Sequence, residues 1–402
     1  MPAATLPQMR APETAPGAPR SLLFLIADTG GGHRASAAAV ARHLAATWPG
    51  GYRTYILDPF AHAAPRIVGR VAAAYSPLIR HAPWLWGALY HATNSRAAVA
   101  AMRTTVLRLV EPGLRDICAA VRPAAVVSFH PLLNHAGARV LAGLPGPRVP
   151  LITVVTDLVD VHASWLCPDA DAVVTASPAG LDRCRHAGIR AARCVDLGLP
   201  VDASFDGPSP DAAARRELRR HLGLDPDQVT VLLSGGGEGS GGLLARARAL
   251  AGGPAPVQVV VVSGRNQALR ARLAGIAPAP GVRLITLGFV ENMADWMRAA
   301  DLVVTKAGPG TIAEAIACGV PLLLTSHLPG QERGNVDYVV ATGAGRHTPG
   351  IRELVDEVAE LAAPGSAGLA AMRAAIAHAA RPLATARTAE LIARLAGGDW
   401  PG

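Results

Sequence analysis

Lysine is almost absent from this 402-residue chain. Arginine supplies 37 of the 38 basic residues, and the one lysine is Lys306. A GxxxxGK phosphate-binding loop therefore cannot be formed, which excludes the P-loop NTPases. Because almost every other basic position is arginine, the retained lysine suggests that a compact ammonium group is needed there.

Paired cysteines are also missing. The five cysteines contain no CxxC motif and are odd in number. This pattern predicts neither a disulfide framework nor a zinc cluster, and it indicates a reducing, cytoplasmic compartment. We expect no metal and no resident cofactor.

The N-terminal part of the chain has no long hydrophobic run. Residues 1–20 are rich in proline and alanine, which predicts a disordered tail. The apolar run that follows, Leu22–Ala27, is too short for a secretory signal or a membrane span. Any membrane role is therefore predicted to be peripheral, at the inner face of the cell membrane.

Acidic residues are missing from one long window. Residues 59–110 contain no Asp or Glu, although the whole chain carries a net charge of +8. The window contains four aromatic residues in 16 positions together with six arginines: Tyr75, Trp84, Trp86, Tyr90, Arg66, Arg70, Arg80, Arg96, Arg103 and Arg108. Tyr and Trp favour lipid headgroups, and arginine is attracted to anionic lipid. We expect this window to dock on an anionic membrane surface; the structural alternative is a helical hairpin with these aromatics in its core.

Short apolar runs alternate with helical patterns along the rest of the chain. This alternation is typical of doubly wound α/β domains with parallel sheets covered on both faces. The predicted strands are 22–27, 125–128, 151–156, 172–175, 229–233, 257–263, 284–287, 302–305 and 321–325. The predicted helices include 36–46, 294–300 and 311–317. A linker rich in Ser, Pro and Gly at 203–212 separates a first domain, 21–204, from a second domain, 205–402, which includes the C-terminal helices.

A glycine-rich turn follows the first predicted strand and precedes a helix. Its sequence is DTGGGHR, with Gly31 and Gly32 just before His33. Such a turn brings backbone N–H donors close to a ligand, and the positive end of the helix dipole favours a neutral imidazole. His33 is thus a candidate general base; the alternative is a solvent-facing turn histidine.

A second glycine-rich loop, SGGGEGSGG, follows the strand at 229–233. It matches GxGxxG, but the next strand ends in Ser263-Gly264-Arg265-Asn266 and lacks the acid that a dinucleotide site needs. NAD is therefore disfavoured, whereas a phosphate-binding loop remains possible, with a flexible surface loop as the alternative.

A third loop, KAGPGT, precedes the predicted helix at 311–317. Thr311 and Glu314 have the spacing of a capping box, which is the structural alternative. The functional hypothesis places a diphosphate at the helix N-terminus and ribose hydroxyls on Glu314. A fourth loop, PGQERGN, carries amide and carboxylate groups suited to sugar hydroxyls.

Together these segments resemble the monogalactosyldiacylglycerol synthases and the related processive diacylglycerol glucosyltransferases. The motifs that carry the resemblance are DTGGGHRASA, SFHPLLNH, TDLVDVHASW, GGGEG, GRN, GFVENMADWM, TKAGPGTIAEA and PGQERGN, in family order. These enzymes are relatives of the peptidoglycan N-acetylglucosaminyltransferase that acts on lipid I.

The resemblance implies a metal-independent, inverting GT-B glycosyltransferase with two Rossmann-like domains facing across a cleft. The second domain would bind a UDP-sugar, and the first would bind a lipid acceptor such as diacylglycerol. His33 would be the general base, with Asp157 and His162 as alternatives. The implied donor-binding positions are Gly236, Gly237, Glu238, Arg265, Asn266, Phe289, Val290, Lys306, Gly308, Gly310, Thr311, Glu314, Gln331, Glu332 and Asn335. The implied acceptor and membrane positions are Gly31, Gly32, Tyr75, Arg80, Trp84, Trp86, Tyr90 and His130.

Other functions remain open at this point. A UDP-N-acetylglucosamine transferase acting on a polyprenyl-linked acceptor would use the same motifs. A UDP-sugar epimerase, or a non-catalytic nucleotide or lipid binder, could also share the fold. The expected partners are a UDP-sugar, a lipid acceptor and an anionic membrane surface, without nucleic acid. The identity of the sugar, the lipid and the oligomeric state stay undetermined.

Overall fold

A computed structural model describes residues 18–28, 31–62, 78–79, 81–236 and 242–398. The chain divides into two compact units. Unit 1 comprises Met1–Ala203, Pro329–Gln331 and Leu383–Gly402, and unit 2 comprises Ser204–Leu328 and Glu332–Pro382. Most of the predicted tail lies outside the described residues, but Arg20 already belongs to the first strand.

Unit 1 contains a six-stranded parallel sheet in the order β2-β1-β3-β4-β5-β6. Its strands are β1 (Arg20–Leu25), β2 (Tyr52–Leu57), β3 (Ala125–Ser128), β4 (Leu151–Val154), β5 (Ala172–Thr175) and β6 (Cys194–Asp196). Its helices are α1 (Gly32–Thr47), α2 (Pro59–His62), α3 (Pro83–Thr93), α4 (Arg96–Thr104), α5 (Glu111–Val121), α6 (Pro131–Ala142) and α7 (Pro178–His186). Short 3₁₀ turns lie at Val106–Leu109, Ala163–Trp165 and Ala191–Arg193.

Unit 2 contains a second six-stranded parallel sheet in the order β12-β11-β10-β7-β8-β9. Its strands are β7 (Val229–Ser234), β8 (Val257–Val262), β9 (Arg283–Leu287), β10 (Leu302–Thr305), β11 (Leu322–Leu324) and β12 (Gly345–His347). Its helices are α8 (Ala212–His221), α9 (Leu243–Ala251), α10 (Gln267–Ala274), α11 (Met293–Ala299), α12 (Pro309–Ala317), α13 (Arg333–Ala341), α14 (Ile351–Ala362) and α15 (Ala367–Ala379). The α/β class predicted from the alternating pattern is confirmed.

The central strands are apolar because both faces of each sheet are covered. In unit 1, Leu23 and Leu25 belong to one core cluster, whereas Leu22 and Phe24 belong to a second cluster. This alternation follows the period of two in a strand, which points successive side chains to opposite faces. Each fully buried Leu or Val contributes about 1.5–3 kcal/mol relative to its exposed state.

The last helix, α16 (Ala384–Gly397), belongs to unit 1. Its apolar residues Ala389, Ile392 and Leu395 join the cluster of Leu22 and Phe24. The Thr385 hydroxyl also donates to the Val201 carbonyl at 2.6 Å. The predicted second domain, 205–402, was therefore too long, because this helix covers one face of the other sheet.

Both sheets have a point at which the strand order reverses. The reversal lies between β1 and β3 in unit 1 and between β7 and β10 in unit 2. In open parallel sheets, ligands bind off the carboxyl ends of the strands at such a point. The loops that follow β1, β3, β7 and β10 are therefore the first places to search for a site.

None of the helices in the described ranges combines the length and apolar character needed to span a bilayer. Within the same ranges, no group of three or more His, Cys, Asp and Glu side chains is arranged to hold a metal ion.

Candidate active site

Charged side chains flank the loop between β1 and α1. The Asp28 amide donates to the Asp58 carboxylate (Oδ2) at 2.9 Å, and Arg34 donates to both Asp28 oxygens at 2.7 Å. Asp58 is buried and also accepts the Phe60 and Ala61 amides, so it ties the loop to the start of α2. Asp58 was not predicted to support this loop, because the strand before it, β2, was not predicted either.

Gly31 precedes α1 in the left-handed conformation, with φ +80°. A Cβ atom at Gly31 or Gly32 would meet nothing within 4 Å. Glycine is favoured at position 31 by its backbone angle, and both positions leave open space beside His33.

His33, in the first turn of α1, is the centre of the polar cluster in unit 1. Its Nδ1 lies 2.9 Å from the Thr156 hydroxyl, which follows β4. The ring packs against His130, after β3, at 5.1 Å between ring centroids, and against Trp165 at 6.2 Å. The fold thus brings together residues from the carboxyl ends of β1, β3 and β4.

Burial lowers the pKa of His33 to about 4, although a hydrogen bond with the Phe129 backbone partly opposes the shift. The imidazole is therefore neutral at neutral pH and can accept a proton. Burial, together with the proximity of His33, also lowers the pKa of His130 well below its usual value. His130 is buried, and its Nδ1 has no hydrogen-bond partner among the described residues.

The two alternative bases are engaged in bonds within unit 1. Asp157 is buried; its Oδ2 accepts the Trp165 indole N–H at 2.7 Å, and its Oδ1 accepts the Gln331 amide at 3.2 Å. Gln331 thus has a partner within unit 1, and its donor-binding role stays a prediction.

His162 is equally constrained. Its Nδ1 lies 2.7 Å from the Ser164 hydroxyl and 3.2 Å from the Ser164 amide, and its Nε2 lies 3.3 Å from the Tyr90 carbonyl. Burial lowers the pKa of His162 as well. Both ring nitrogens thus have partners within unit 1, and the role of His162 as an alternative base stays a prediction.

The predicted membrane window is only partly described. Tyr75, Arg80, Arg66 and Arg70 lie outside the described residues. Trp84 on α3 is 71% exposed, and Leu85 and Leu89 are exposed beside it, whereas Trp86 is half-buried.

Tyr90 departs from the prediction. It is 5% exposed, packs on His162 at 4.8 Å between ring centroids and donates to the Asp160 carbonyl at 2.6 Å. Its position on the buried side of α3 gives it a packing role instead of a lipid-facing one.

In unit 2, the third glycine loop leads into α12 without a side-chain cap. The helix begins at Pro309 with Gly308 as N-cap, and the first amide bonded within it is that of Ile312, which donates to the Gly308 carbonyl. The amides of Gly310 and Thr311 precede that bond and form the donor end of the helix. A Cβ at Gly310 would meet nothing within 4 Å, so this end is open.

The capping-box alternative is wrong for Thr311 and Glu314. Thr311 is the third residue of α12 and cannot be its N-cap, so the T-x-x-E spacing does not form a capping box here. Residues three and four apart share a helix face, which places Glu314 below Gly310 and Thr311. Glu314 is half-buried.

The second glycine loop lies next to this helix end, because β7 and β10 are neighbours. Gly236 has φ +73°, and its amide lies 3.4 Å from the Ser234 hydroxyl. Gly237 and Glu238 lie outside the described residues. Arg246, which sequence reasoning missed, follows on α9 and donates to the Thr325 carbonyl at 3.0 Å.

Lys306 and Glu332 form an ion pair. The Lys306 ammonium donates to Glu332 Oε1 at 2.6 Å, while Oε2 accepts the Leu328 amide at 2.9 Å. Glu332 is 3% exposed and connects the loops after β10 and β11, while its predicted contact with the donor stays a prediction. The one lysine of the chain is thus a member of this ion pair.

Asn335 has a similar bracing position. It is 1% exposed, and its amide donates to the Ala307 carbonyl at 2.9 Å. The fourth loop therefore supports the third, and the predicted contact of its polar groups with the donor stays a prediction.

A further pair lies at the carboxyl ends of β8 and β9. The Arg265 guanidinium stacks on the Phe289 ring at 4.8 Å from its centroid, and Phe289 is 55% exposed, with Val290 half-exposed beside it. Asn266 caps α10 by accepting the Leu269 amide at 2.9 Å. An exposed aromatic ring beside an arginine is suited to contact a planar base.

Two family models match the chain. The model described as "Monogalactosyldiacylglycerol (MGDG) synthase" matches residues 33–201, and the model described as "Glycosyltransferase family 28 C-terminal domain" matches residues 235–387. A probable monogalactosyldiacylglycerol synthase, chloroplastic, from Glycine max is 36% identical over 385 residues, which cover 90% of this chain and 69% of that protein.

Solved structures show the same fold at low identity. MurG from Acinetobacter baumannii aligns with a TM-score of 0.61 at 20% identity, over 94% of this chain and all of that one. Anabaena Alr3699/HepE in complex with UDP and glucose aligns with a TM-score of 0.50 at 18% identity, over 93% of this chain and 99% of that one. The fold is therefore GT-B. The family models and the plant relatives, rather than the fold, identify a glycosyltransferase in place of the epimerase and non-catalytic alternatives. The chain belongs to the monogalactosyldiacylglycerol synthase family of glycosyltransferases.

Proposed function

We propose that this enzyme transfers a hexose from a UDP-hexose to the free hydroxyl of diacylglycerol, with inversion at the anomeric carbon. The observation that carries the proposal is a neutral, half-buried His33 in one unit and an uncapped helix N-terminus with Glu314 in the other. The names of the plant relatives favour UDP-galactose over UDP-glucose.

The proposed reaction forms one bond and breaks one. The acceptor oxygen bonds to the anomeric carbon while the bond from that carbon to the UDP oxygen breaks, and UDP leaves with the electron pair. His33 takes the hydroxyl proton, because its neutral ring can accept one. The Gly310 and Thr311 amides and the α12 dipole stabilise the negative charge on UDP, so the proposed reaction needs no metal.

At the proposed UDP-hexose site, the Glu314 carboxylate accepts hydrogen bonds from the ribose hydroxyls. The loops at Gly236 and Gly308 lie against the diphosphate. Arg265, Phe289 and Val290 border the uracil. Lys306, Glu332 and Asn335 act indirectly by holding the loop that carries Gly308.

We place the reaction at a membrane surface on the cytoplasmic side. Support comes from the exposed apolar face of α3, which consists of Trp84, Leu85 and Leu89. Two arginines of the window make contacts within unit 1: Arg96 donates to the Ala187 carbonyl, and Arg103 pairs with Asp169 at 3.7 Å.

Product analysis tests the proposed reaction. The enzyme is incubated with diacylglycerol vesicles and UDP-galactose, UDP-glucose or UDP-N-acetylglucosamine, and the lipids are measured by mass spectrometry. We expect a monohexosyldiacylglycerol from a UDP-hexose. A product formed only from UDP-N-acetylglucosamine on a polyprenyl-linked acceptor would contradict the proposal.

Replacing His33 with Ala should lower kcat by about 100- to 10,000-fold, the usual effect of losing a positioned base. UDP affinity, measured by calorimetry, should stay within twofold, because the proposed base contacts the acceptor. His43→Ala, on the same helix, is the control and should leave kcat unchanged. Turnover of His33→Ala close to wild type would remove this role from His33.

Glu314→Ala should weaken UDP binding at least tenfold, because each hydrogen bond to a charged group contributes about 1.5–3 kcal/mol. The control is Glu353→Gln at the start of α14, where Glu353 accepts the Gly350 amide at 3.2 Å. That variant should lower only the melting temperature. If Glu314→Ala behaves in the same way, its role is structural.

Trp84→Ala should reduce binding to vesicles that contain anionic lipid, measured by sedimentation, and reduce activity on vesicle-borne diacylglycerol. Activity on a short-chain soluble diacylglycerol should be retained. Val340→Ala, at an apolar position of unit 2 that is 48% exposed, is the control. Wild-type binding should fall as salt rises. Equal loss on both acceptors would show that Trp84 serves the fold.

A further inference from the structure

A buried cluster of charges lies beneath the amino end of β10. The Asp301 carboxylate accepts hydrogen bonds from Arg219 Nη2 at 2.5 Å and from Arg373 Nη2 at 2.6 Å. Arg215 Nη1 lies 4.0 Å from Asp301 Oδ1. The Asp301 side chain is 10% exposed, and the Arg219 and Arg215 side chains are 7% and 14% exposed. One carboxylate therefore faces three guanidinium groups, and the charges of these four side chains sum to +2.

This excess of positive charge is unfavourable where the side chains are buried, as they are at Arg215 and Arg219, whereas the Arg373 side chain is 35% exposed. Burial, together with Arg373 and Arg219, lowers the pKa of Arg215 despite the opposing effect of Asp301. Backbone carbonyls satisfy part of the cluster, because Arg215 Nε donates to the Arg298 carbonyl and Arg219 Nε donates to the Ala299 carbonyl. Nε of Arg373 is a buried donor with no hydrogen-bond partner among the described residues. The cluster thus carries excess positive charge and one donor without an acceptor.

The same arginines line a cavity of about 390 Å³ in unit 2. Arg215, Arg373 and Arg381 line its wall together with the carboxylate of Asp206, and Arg215 and Arg373 also face Asp301. Ile316 and Ile376 supply an apolar floor. The volume is near the lower end of the range for small-molecule sites, which favours a small soluble ligand over a lipid.

The cavity lies away from the candidate donor site. Asp301 directly precedes β10, and Ile316 lies near the end of α12, which follows β10 and returns along the sheet. These residues mark the amino ends of the strands, whereas the loops at Gly236 and Gly308 follow the carboxyl ends. The cavity is therefore at the opposite edge of the sheet from the proposed UDP site.

We propose that this cavity binds a small soluble phosphate ester. Arginine guanidinium groups suit phosphate oxygens, which would supply the missing negative charge and an acceptor for Nε of Arg373. The apolar floor would contact the organic part of the ester. Binding in this cavity requires neither His33 nor Glu314 and is independent of the proposed function.

Two stretches of chain at the borders of unit 2 line the same cavity. Asp206, Gly207 and Ser209 follow the point where the chain leaves unit 1, and Ala380, Arg381 and Pro382 precede the point where it returns. A ligand held there would restrain both stretches. Amide hydrogen exchange at 204–210 and 379–382 should therefore slow when the site is filled.

Isothermal titration calorimetry of the full chain with n-butyl phosphate tests the proposal, with inorganic phosphate as a second probe. We expect saturable binding of one n-butyl phosphate per chain, weaker binding of inorganic phosphate, and no displacement by UDP. Arg215→Gln should weaken the affinity at least tenfold. Arg216→Gln is the matched control, since Arg216 is the next residue on α8 and pairs with Asp227 at the surface.

Ala377→Trp provides a second test that keeps every arginine. Ala377 lines the cavity yet is exposed, so the larger side chain should fill the opening without loss of melting temperature. It should abolish binding and the slowed hydrogen exchange. Absence of saturable binding, displacement by UDP, or an equal loss in Arg216→Gln would each overturn the proposal.

Discussion

The reversal of strand order in each parallel sheet is the constraint on which the rest of the molecule depends. Adjacent strands β1 and β3, and likewise β7 and β10, send their following helices to opposite faces, so the loops at their carboxyl ends diverge. Backbone amides there are left for a ligand, and the glycine-rich sequences let the ligand approach. The same geometry draws Thr156 and His130 to His33.

The loops at these reversals are held by hydrogen bonds and ion pairs. Several charged side chains near them therefore have a structural role. Asp58 holds the β1 loop, and the Lys306–Glu332 pair with Asn335 holds the β10 loop. Breaking one partner of such a buried pair is costly, because the other charge is left without compensation. A substitution at Glu332 would thus disturb the loop that leads into the proposed donor site.

The sequence alone was enough to predict the interior strands. Continuous apolar runs gave 125–128, 172–175 and 302–305 with the bounds that the structure shows. The strands that were missed, β2, β6 and β12, lie at sheet edges. Edge strands are half-exposed or only three residues long, so their sequences carry little apolar signal.

The site was predictable only in part, for a related reason. His33 and the α12 start could be found because their glycine loops follow recognisable strands. Glu332 and Asn335 were assigned to the donor by the resemblance. Their bonds to Lys306 and Ala307 could not be predicted, because these partners lie 26 and 28 positions away in the chain. Tyr90 was assigned to the membrane because an aromatic in a cationic window does not reveal which helix face is buried.

The central claim is that burial keeps the His33 ring neutral and able to accept a proton. Nitrogen-15 NMR of the imidazole rings, with His33→Gln used to assign the signal, measures this directly across pH 8 to 4. The account predicts a neutral ring throughout the neutral range and a pKa near 4. A measured pKa at or above 6.5 would contradict it, because much of the enzyme would then carry a protonated His33 near neutral pH.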